Sequence, residues 1–387
     1  MKNTGVSART LATPAAIEGL AAEWRALETA TPEATGFQSA AWRLSSARGG
    51  AEPRVVAVRD NGRLVMLLPL QVQSVLGVSI ARWLGEPWAQ YGDALALPDP
   101  RRPDWLAAAQ AEIGGWRDVD LVALTRLRAD GVLAACGAPL VLSDPAKHSA
   151  PYVDIGGEKA RRHKSVERRL KKLRLYGALR FETAKDASAR REAAAQALVF
   201  KRQWLRSRRR FSASLSNADV DEPLLALAEK GVLRAHCLWA GERLVSVELG
   251  LKSGAVYRSL IGGYDCELAE ASPGHALTLY LLQALAAEGV TRFDFLPPAD
   301  PYKMQFATGA AAMGVLYRPL NLRGRAAAFT LSRLRPLAKD AIHAISEAIL
   351  AVAPLIRRAA APLSRAKGKA AKLQPETPAH FSAQRPE

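Results

Sequence analysis

The spacing of apolar residues along the chain predicts an alternation of helices and strands. In residues 15–30 apolar side chains recur every three to four positions, which is typical of a helix with one buried face. Two apolar runs meet at Asn61-Gly62, a dipeptide that fits the tight turn of a β-hairpin. A helix over residues 101–116 and a buried strand over 118–127 follow. Together these elements indicate a first α/β half.

A second series of elements repeats this order with clearer signals. Three apolar runs joined by short turns, the last at residues 255–264, predict an antiparallel meander. A helix over 275–288 and a strand over 290–295 come next. Because this strand, helix and strand are joined by short turns, we expect the two strands to be parallel. A strand over 313–320 is expected to finish the unit. The other predicted elements are helices at 159–175, 187–206 and 219–230, strands at 179–184, 233–240 and 243–252, and a short helix near 302–307.

The repeated order predicts an α/β (α+β) protein with two related domains and a tail. The first domain would cover residues 1–145 and the second residues 146–322. Each should have a mixed central sheet flanked by helices. The tail, residues 323–387, is basic and is expected to be helical at first and disordered towards its end.

The positive charge of the chain is concentrated in three segments. The net charge is +17, and residues 158–174, 201–210 and 323–387 account for more than the whole of this excess. Such local charge indicates an anionic partner, namely a phosphate, a membrane surface or a nucleic acid. Solvated helix faces are the alternative interpretation.

The composition favours a cytoplasmic protein. Its three cysteines lie far apart, which is typical of a reducing compartment. No apolar run reaches the roughly 18 residues that a membrane-spanning helix needs. The beginning of the sequence has no signal-peptide pattern. We therefore expect a cytoplasmic location, with peripheral association at the inner membrane face left open by the basic segments.

The sequence lacks the motifs of covalent and metal catalysis. It has no G-x-S-x-G, no P-loop and no H-E-x-x-H, and no histidine has a partner at metal-ligand spacing. No metal is therefore expected. An enzyme of this kind would act by positioning two substrates.

One turn has the character of a phosphate site. Residues 272–282, SPGHALTLYLL, place a Ser-Pro-Gly turn at the start of a Leu-rich helix, where free N–H groups and the helix dipole favour anions. Gly274 allows a close backbone approach, Pro273 fixes the entry of the chain, and Ser272 can cap or donate. His275 contacts the phosphate or caps the surface. A plain capped turn remains the alternative.

The sequence around this turn resembles a known group of acyltransferases. Residues 262–307 resemble the GNAT branch called BioF2-like or CelD/BcsL acetyltransferases, which is similar to the FemAB peptidyltransferases. The basic segment 161–182 is also similar. The chain departs from the family at Pro298-Ala299, where a Gly and an acid are usual, and at Phe306, where a Trp is common. The matching pieces are Tyr264-Asp265, Ser272-Pro273-Gly274 with Leu277, Gly289, Asp294-Phe295-Leu296 and Pro301-Tyr302-Lys303.

The resemblance implies tandem GNAT-like domains and a co-substrate, acetyl-CoA or another acyl-CoA. In the GNAT fold the fourth and fifth strands diverge, and the acyl-CoA lies between them with its pyrophosphate on the next helix. Backbone N–H groups of the fourth strand would then hold the thioester carbonyl. The implied cofactor-binding residues are Leu260, Ile261, Gly262, Gly263, Ser272, Pro273, Gly274 and His275.

The general base is open among Glu248, Asp265, His275 and Asp294. Glu248 lies mid-strand between apolar residues, so it is either a costly buried carboxylate or, if the strand alternates, a solvent-facing one. Asp265 leaves the central strand beside the phosphate turn. Asp294 ends a buried strand, where it serves as a base or makes a structural hydrogen bond.

Two neighbouring residues complete the catalytic set that the resemblance implies. Tyr302 would protonate the leaving thiolate. Lys303 would hold a carbonyl or a phosphate. An exposed helix start is the alternative for both residues.

Candidate acceptor-binding residues lie outside this block. Tyr91 and Asp93 match a Tyr-x-Asp loop of the family and would face the acceptor. Trp88 would stack on a sugar or pack in the core. Arg168, on the basic helix, would contact the 3′-phosphate of CoA, a nucleotide-sugar, a tRNA or an anionic lipid.

The resemblance implies an acyl-CoA-dependent N- or O-acyltransferase linked to exopolysaccharide or cellulose production, with direct transfer to a small-molecule or saccharide acceptor. One alternative keeps the fold and uses aminoacyl-tRNA as the donor. Apart from that case, nucleic acid is not expected as a partner. Another alternative is a non-catalytic module that binds nucleic acid or membrane.

Overall fold

The computed structural model describes residues 5–45, 51–156, 164–208, 212, 215 and 221–334. The chain divides into two compact units, residues 1–328 and 329–387. The second unit is described only over 329–334, which includes a short π-helix, Thr330–Leu334. The predicted tail therefore lies mostly outside the described residues. Everything below concerns the first unit.

The predicted strands are present, and the structure adds strands that the sequence did not predict, at Val6–Leu11, Val141–Leu142, Ala150–Asp154 and Gly309–Ala311. Asn61 and Gly62 form the turn of the first hairpin, both with positive φ, as the Asn-Gly pattern predicted. In chain order the strands of the described residues are β1 Val6–Leu11, β2 Glu52–Asp60, β3 Arg63–Val75, β4 Val78–Trp83, β5 Leu95–Ala96, β6 Leu121–Arg128, β7 Val141–Leu142, β8 Ala150–Asp154, β9 Leu179–Thr183, β10 Arg234–Ala240, β11 Arg243–Ser253, β12 Val256–Tyr264, β13 Arg292–Asp294, β14 Gly309–Ala311 and β15 Met313–Pro319.

Helices connect these strands and begin where capping residues allow. Asp186 accepts a hydrogen bond from the Ala189 N–H and so caps the helix that begins at Ala187. The helices of the described residues are α1 Pro14–Gly19, α2 Ala21–Ala30, α3 Arg102–Gly114, α4 Val132–Ala135, α5 Pro145–His148, α6 Lys164–Arg174, α7 Ala187–Ser207, α8 Asp221–Glu229, α9 Pro273–Ala287, α10 Pro301–Phe306 and α11 Leu322–Phe329, with 3₁₀ helices at Ala40–Ser45 and Cys266–Ala271.

The second sheet has the order β14-β8-β13-β12-β11-β10-β9. The meander β10-β11-β12 is antiparallel, and β12 pairs with β13 in parallel, as predicted. That parallel pairing begins at Val256–Arg292 and stops at Arg258–Asp294. Beyond this point β12 continues to Tyr264 with no strand of the described residues on its β13 side. The two strands therefore diverge, and the second half has the mixed sheet of a GNAT-like fold.

The first sheet repeats this arrangement. Its order is β1-β2-β3-β4-β6-β15-β7, with β5 on β3. The meander β2-β3-β4 is again antiparallel, and after α3 the strand β6 pairs with β4 in parallel, from Ile80–Leu121 to Ala81–Val122. Two mixed sheets flanked by helices, with the same internal order, make this a tandem fold.

The last strand, β15, does not complete the sheet of the second half as expected. Strand β15 pairs antiparallel with β6 and with β7, so it belongs to the first sheet. In its place β8, from the linking segment, occupies the outer side of β13. The chain thus crosses between the sheets twice. The predicted boundaries at residues 145/146 and 322/323 stay a prediction.

One hydrophobic cluster contains residues of both halves. Aromatic residues of the first half pack with residues of α7, α8 and the second sheet in a single cluster. The ring of Phe37 meets Trp42 and Tyr91 edge-on, at 5.0 and 6.0 Å between centroids. Trp88 belongs to the same cluster, so of its two predicted environments the structure shows core packing.

Helix α7 lies directly against β12 at Gly263. A Cβ added there would be 2.9 Å from both the carbonyl oxygen of Ala197 and the Cβ of Phe200. Glycine is therefore required by this close approach and not by a special backbone angle.

Gly263→Ala should destabilise the protein by about 1–3 kcal/mol, because the helix must move away from the strand. The control is Gly274→Ala, whose Cβ would meet only Tyr264 at an ordinary 3.6 Å. Urea unfolding of both variants checks this, and equal midpoints would contradict the tight contact.

Candidate active site

The open edge of β12 presents backbone groups to the gap beside β13. The N–H of Asp265 donates to Val245 O over 3.0 Å, which marks a hydrogen-bonded pair of β12 with β11. Since such pairs alternate along antiparallel strands, Gly263 also faces β11, and the backbone of Gly262 faces the gap. A register shift between Leu249 and Gly250 adds an irregularity at this level. The predicted carbonyl-binding segment, 260–263, therefore borders the opening.

Glu248 lies on β11 directly opposite Gly262. Its side chain is on the sheet face that carries α9, since Gly263, pointing the other way, meets α7. A Cβ at Gly262 would stand 2.8 Å from Glu248 Oε2, so the glycine leaves room for the carboxylate. The residue is 8% exposed, which excludes the solvent-facing alternative.

The carboxylate of Glu248 is poised to titrate near neutrality. Burial raises the pKa of Glu248 to about 7, although a hydrogen bond from Ser259 and nearby Lys201 and Lys303 act in the opposite direction. Its Oε1 has no hydrogen-bond partner among the described residues. An oxygen that is buried and unpaired at this pKa is suited to accept a proton.

The phosphate turn precedes α9 as predicted. Ser272 is left-handed, with φ 55° and ψ 56°, and Pro273 occupies the first helical turn. The Ser272 side chain makes no capping hydrogen bond. The N–H groups of His275 and Ala276 both reach Ser272 O, at 3.1 and 3.3 Å. Since proline has no N–H, the amide of Gly274 is the donor that this turn leaves for a ligand.

Helix α10 packs against this turn through Tyr302. The Tyr302 hydroxyl lies 2.7 Å from Thr278 Oγ1 and donates to Gly274 O over 3.2 Å. Burial raises the pKa of Tyr302. The His275 ring lies edge-on to it at 4.6 Å, and His275 Nε2 is 3.1 Å from Gln305 Oε1. Tyr302 and His275 therefore lie together at the turn.

Lys303 fixes the loop that leaves β13. Its Nζ donates to Leu296 O over 2.8 Å and to Pro298 O over 2.9 Å. Asp300 Oδ1 accepts from the Lys303 N–H and begins α10. Burial lowers the pKa of Lys303 to about 8. Pro298, a departure from the family pattern, thus supplies a carbonyl for this lysine.

Asp294 and Tyr91 join the two halves. The Tyr91 hydroxyl lies 2.9 and 2.8 Å from the two carboxylate oxygens of Asp294, and the Leu296 N–H donates to Oδ1 over 2.8 Å. Arg128 Nη1 lies 3.5 Å from Asp294 Oδ2, and its guanidinium is 5.2 Å from the Tyr91 ring centre. Burial raises the pKa of Asp294 against these contacts. Tyr91, which was predicted to face the acceptor, is thus hydrogen-bonded to Asp294.

Glu248 and Asp294 lie on opposite faces of the second sheet. Tyr257 and Phe293, paired across β12 and β13, belong to the cluster formed with α9 residues. The next pair, Arg258 and Asp294, must point to the other face because side chains alternate. The opening between β12 and β13 therefore has a carboxylate on each side.

Other predicted residues have structural contacts. Asp265 caps the 3₁₀ helix and pairs with Arg243. Asp93 accepts from the N–H groups of Val132 and Leu133 at the start of α4, over 2.7 and 2.9 Å. Burial raises the pKa of Asp93 to about 7. The structure does not bring these two carboxylates to the opening.

Arg168 is an exposed residue of α6. The N-terminal end of the predicted basic helix, residues 159–163, lies outside the described residues. The structure therefore shows Arg168 on a surface and assigns it no contact in the opening.

Two arginines of the site were missed by the sequence analysis. Arg258 lies within the predicted strand 255–264, between Tyr257 and Ser259, which is a weaker form of the signal that selected Glu248. Arg128 ends β6, and only the pairing of the halves brings it to Asp294. The first could have been found from the sequence, and the second could not.

Two kinds of feature are absent from the described residues. Among the described residues, no group of three or more His, Cys, Asp or Glu side chains is arranged to hold a metal ion. No helix in that part of the chain has both the length and the apolar character to cross a bilayer.

Comparison with protein families identifies the half that carries this opening. Residues 160–304 match the family described as acetyltransferase (GNAT) domain. This segment is therefore similar to GNAT acetyltransferase domains. It contains β9 to β13, α9 and the start of α10, and the match identifies the protein as an acyltransferase.

Two solved structures with TM-scores above 0.5 share this fold. FemX superposes with a TM-score of 0.58 at 12% identity, over 84% of this chain and 99% of FemX. The C-terminal domain of a putative lysylphosphatidylglycerol synthetase from Agrobacterium fabrum gives 0.52 at 13%, over 81% and 95%. A tandem GNAT protein of the clavulanic acid biosynthesis pathway gives 0.47 at 14%, over 81% and 99%. The comparison with curated proteins gives no match.

Glu248→Gln should stabilise the protein at high pH. The pKa of this carboxyl is near 7 in the folded state and near 4.5 in the unfolded chain, so its ionisation costs stability as pH rises between these values. Above pH 7 the variant should gain up to about 3 kcal/mol, and near pH 4 the gain should vanish. Urea unfolding of both proteins at several pH values measures this difference.

Glu288→Gln is the matched control, because the pKa of Glu288 is shifted in the opposite direction. Its ion pair with Arg234 lowers the pKa of Glu288 to about 2, so the pair stabilises the protein above pH 4.5 and weakens only in acid. This variant should lose stability at pH 8. A gain in Glu288→Gln, or a pH-independent effect of Glu248→Gln, would contradict the assignment.

Proposed function

We propose that the protein is an acyl-CoA-dependent N- or O-acyltransferase that transfers the acyl group directly to a bound acceptor. One observation carries this proposal: Glu248 is a buried, partly unpaired carboxylate with a pKa near 7, beside the opening between β12 and β13. The GNAT match of residues 160–304 supports acetyl-CoA or a related thioester as the donor.

Different residues of the site would bind different parts of the acyl donor. The Gly274 amide and the positive end of α9 would bind the pyrophosphate. The backbone N–H of Gly262 would donate to the thioester oxygen and stabilise the charge that develops there. Lys303 holds the loop after β13 through two carbonyls and so maintains the width of the opening.

Proton transfer would involve two side chains on the α9 face. Glu248 would take the proton from the attacking amine or hydroxyl as the new bond to the acyl carbon forms. The C–S bond then breaks, and the Tyr302 hydroxyl, at the pyrophosphate turn, would give its proton to the thiolate. Asp294 is engaged by Tyr91 and Leu296, so we assign it to positioning.

The acceptor and the location are also proposals. A saccharide or a lipid-linked precursor, and with it exopolysaccharide or cellulose production, rests on the sequence resemblance. Association with an anionic membrane surface rests on the basic segments, of which Arg168, Lys171 and Lys172 are exposed on α6.

An aminoacyl-tRNA donor is the second candidate. The fold is shared with FemX and with a domain of a putative lysylphosphatidylglycerol synthetase, and the exposed cations of α6 suit a polyanion. Salt-sensitive tRNA binding without acetyl-CoA binding would favour this candidate over the first.

Gly274→Asp should abolish acetyl-CoA binding and leave the fold intact. An added carboxylate beside the only free amide of the turn repels the pyrophosphate, and the site has space for a side chain. Calorimetric titration with acetyl-CoA measures binding, and Gly274→Ala is the control that should retain it. Binding that survives in Gly274→Asp would show that the turn is not the pyrophosphate site.

Activity should rise with pH through about 7, as Glu248 loses its proton. Glu248→Gln should lower the rate about 100-fold or more and remove this rise, because the base is lost. Thiol release from acetyl-CoA with an accepted amine or alcohol measures both effects. A variant with the wild-type pH profile would exclude Glu248 as the base.

A further inference from the structure

Arg258 is a buried cation whose bonding capacity is not used. The residue is 6% exposed, and its Nε and Nη1 atoms have no hydrogen-bond partner among the described residues. Burial lowers the pKa of Arg258. Native proteins rarely leave a guanidinium in this state, because burying a charge without hydrogen bonds is costly.

Asp294, the partner of Arg258 across β12 and β13, attracts its charge but is already engaged by other donors. It accepts from the Tyr91 hydroxyl and the Leu296 N–H. Arg128, which also lies beside Asp294, donates two hydrogen bonds to Asp130, at 2.8 and 2.7 Å. Arg258 therefore faces a polar cluster whose members satisfy one another, and it remains available for a further oxygen.

The position of Arg258 is where a substrate would pass. It forms the last pair of β12 with β13, directly before the strands diverge. It points to the face that meets Tyr91 and Arg128 of the first half, opposite to Glu248 and α9. Past this point Gly262 has no side chain, so the strand edge between the two faces is open.

We propose that Arg258 binds an oxyanion of the acceptor substrate, a carboxylate or a phosphate, at the boundary of the two halves beside Tyr91, Arg128 and Asp294. This rests on the proposed function, since it places the acyl donor at α9 and the acceptor on the opposite face. Guanidinium groups pair with both oxyanions through charge-assisted hydrogen bonds, so the shared chemistry is that of an anionic acceptor.

The first test is the stability of the ligand-free protein. Arg258→Met replaces a buried cation that has two unused N–H donors by an apolar chain of similar length and should raise Tm. Arg292→Met is the control on the neighbouring strand. Arg292 donates to Asp154 over 2.8 Å and covers the Tyr152 ring, so its loss should lower Tm. A lower Tm in Arg258→Met would show a structural role and overturn the proposal.

The second test is oxyanion binding. Acetate, glutamate, inorganic phosphate and glycerol phosphate are added to the full chain, with chloride at equal ionic strength as the reference. Carboxylates or phosphates should raise Tm of the wild type by about 2 °C or more in a saturable manner. In Arg258→Met the affinity should fall about tenfold or more. The set that acts identifies the acceptor class.

Two outcomes of this second test would overturn the proposal. One is a wild-type Tm that responds to these anions no more than to chloride. The other is an unchanged response in Arg258→Met. Gly274→Asp distinguishes anion binding at Arg258 from anion binding at the α9 turn. In this variant the rise in Tm that depends on Arg258 should persist.

Failure of this inference and failure of the proposed function can be told apart. Acetyl-CoA binding should be retained in Arg258→Met, since the donor lies on the other face. If acetyl-CoA does not bind but the oxyanion response depends on Arg258, the donor assignment is wrong and the anion site stands. If acetyl-CoA binds and that response is missing, the anion site is wrong.

Discussion

The site depends on a parallel strand pairing that ends early. Strands β12 and β13 share three residue pairs and then separate, because β13 ends at Asp294 while β12 runs on to Tyr264. Unpaired backbone in a protein interior must find other partners, and a thioester that lies along the edge can supply them. Two hydrogen bonds of Lys303 fix the loop after β13, and α7 packs against β12 at Gly263.

The two halves have different tasks at this opening. The second half supplies the strand edge, Glu248 and the α9 turn. The first half supplies Tyr91 and Arg128, which reach Asp294 across the boundary. A core common to both halves holds this boundary in place, so the tandem arrangement is more than two similar folds in one chain.

Local pattern was enough to predict most elements of the fold and part of the site. The Asn61-Gly62 hairpin and the parallel β12–β13 pair followed from turn chemistry and connection length, which are local properties. The sequence also selected Glu248 and Tyr91. It did not predict that β15 pairs with β6 of the first sheet, because pairing between strands that are distant in sequence depends on which sheet edge is free. It left Asp93 and Asp265 as site candidates, because a carboxylate that caps a helix looks like a catalytic one until its N–H partners are known. Arg128 shows the same limit, since its partner is distant in sequence.

The return of β15 to the first sheet has a consequence for how the protein is made. Residues 313–319 lie beside β6, which is complete about two hundred residues earlier in the chain. During synthesis the first sheet can begin to form, but its β6 edge stays unpaired until the whole catalytic half has left the ribosome. The first sheet therefore depends on a strand that is synthesised after the second half, in addition to the packing between the halves. A gene fragment that encodes only the family-matched segment would lack β8, which pairs with β13, and the Tyr91 side chain, which reaches Asp294.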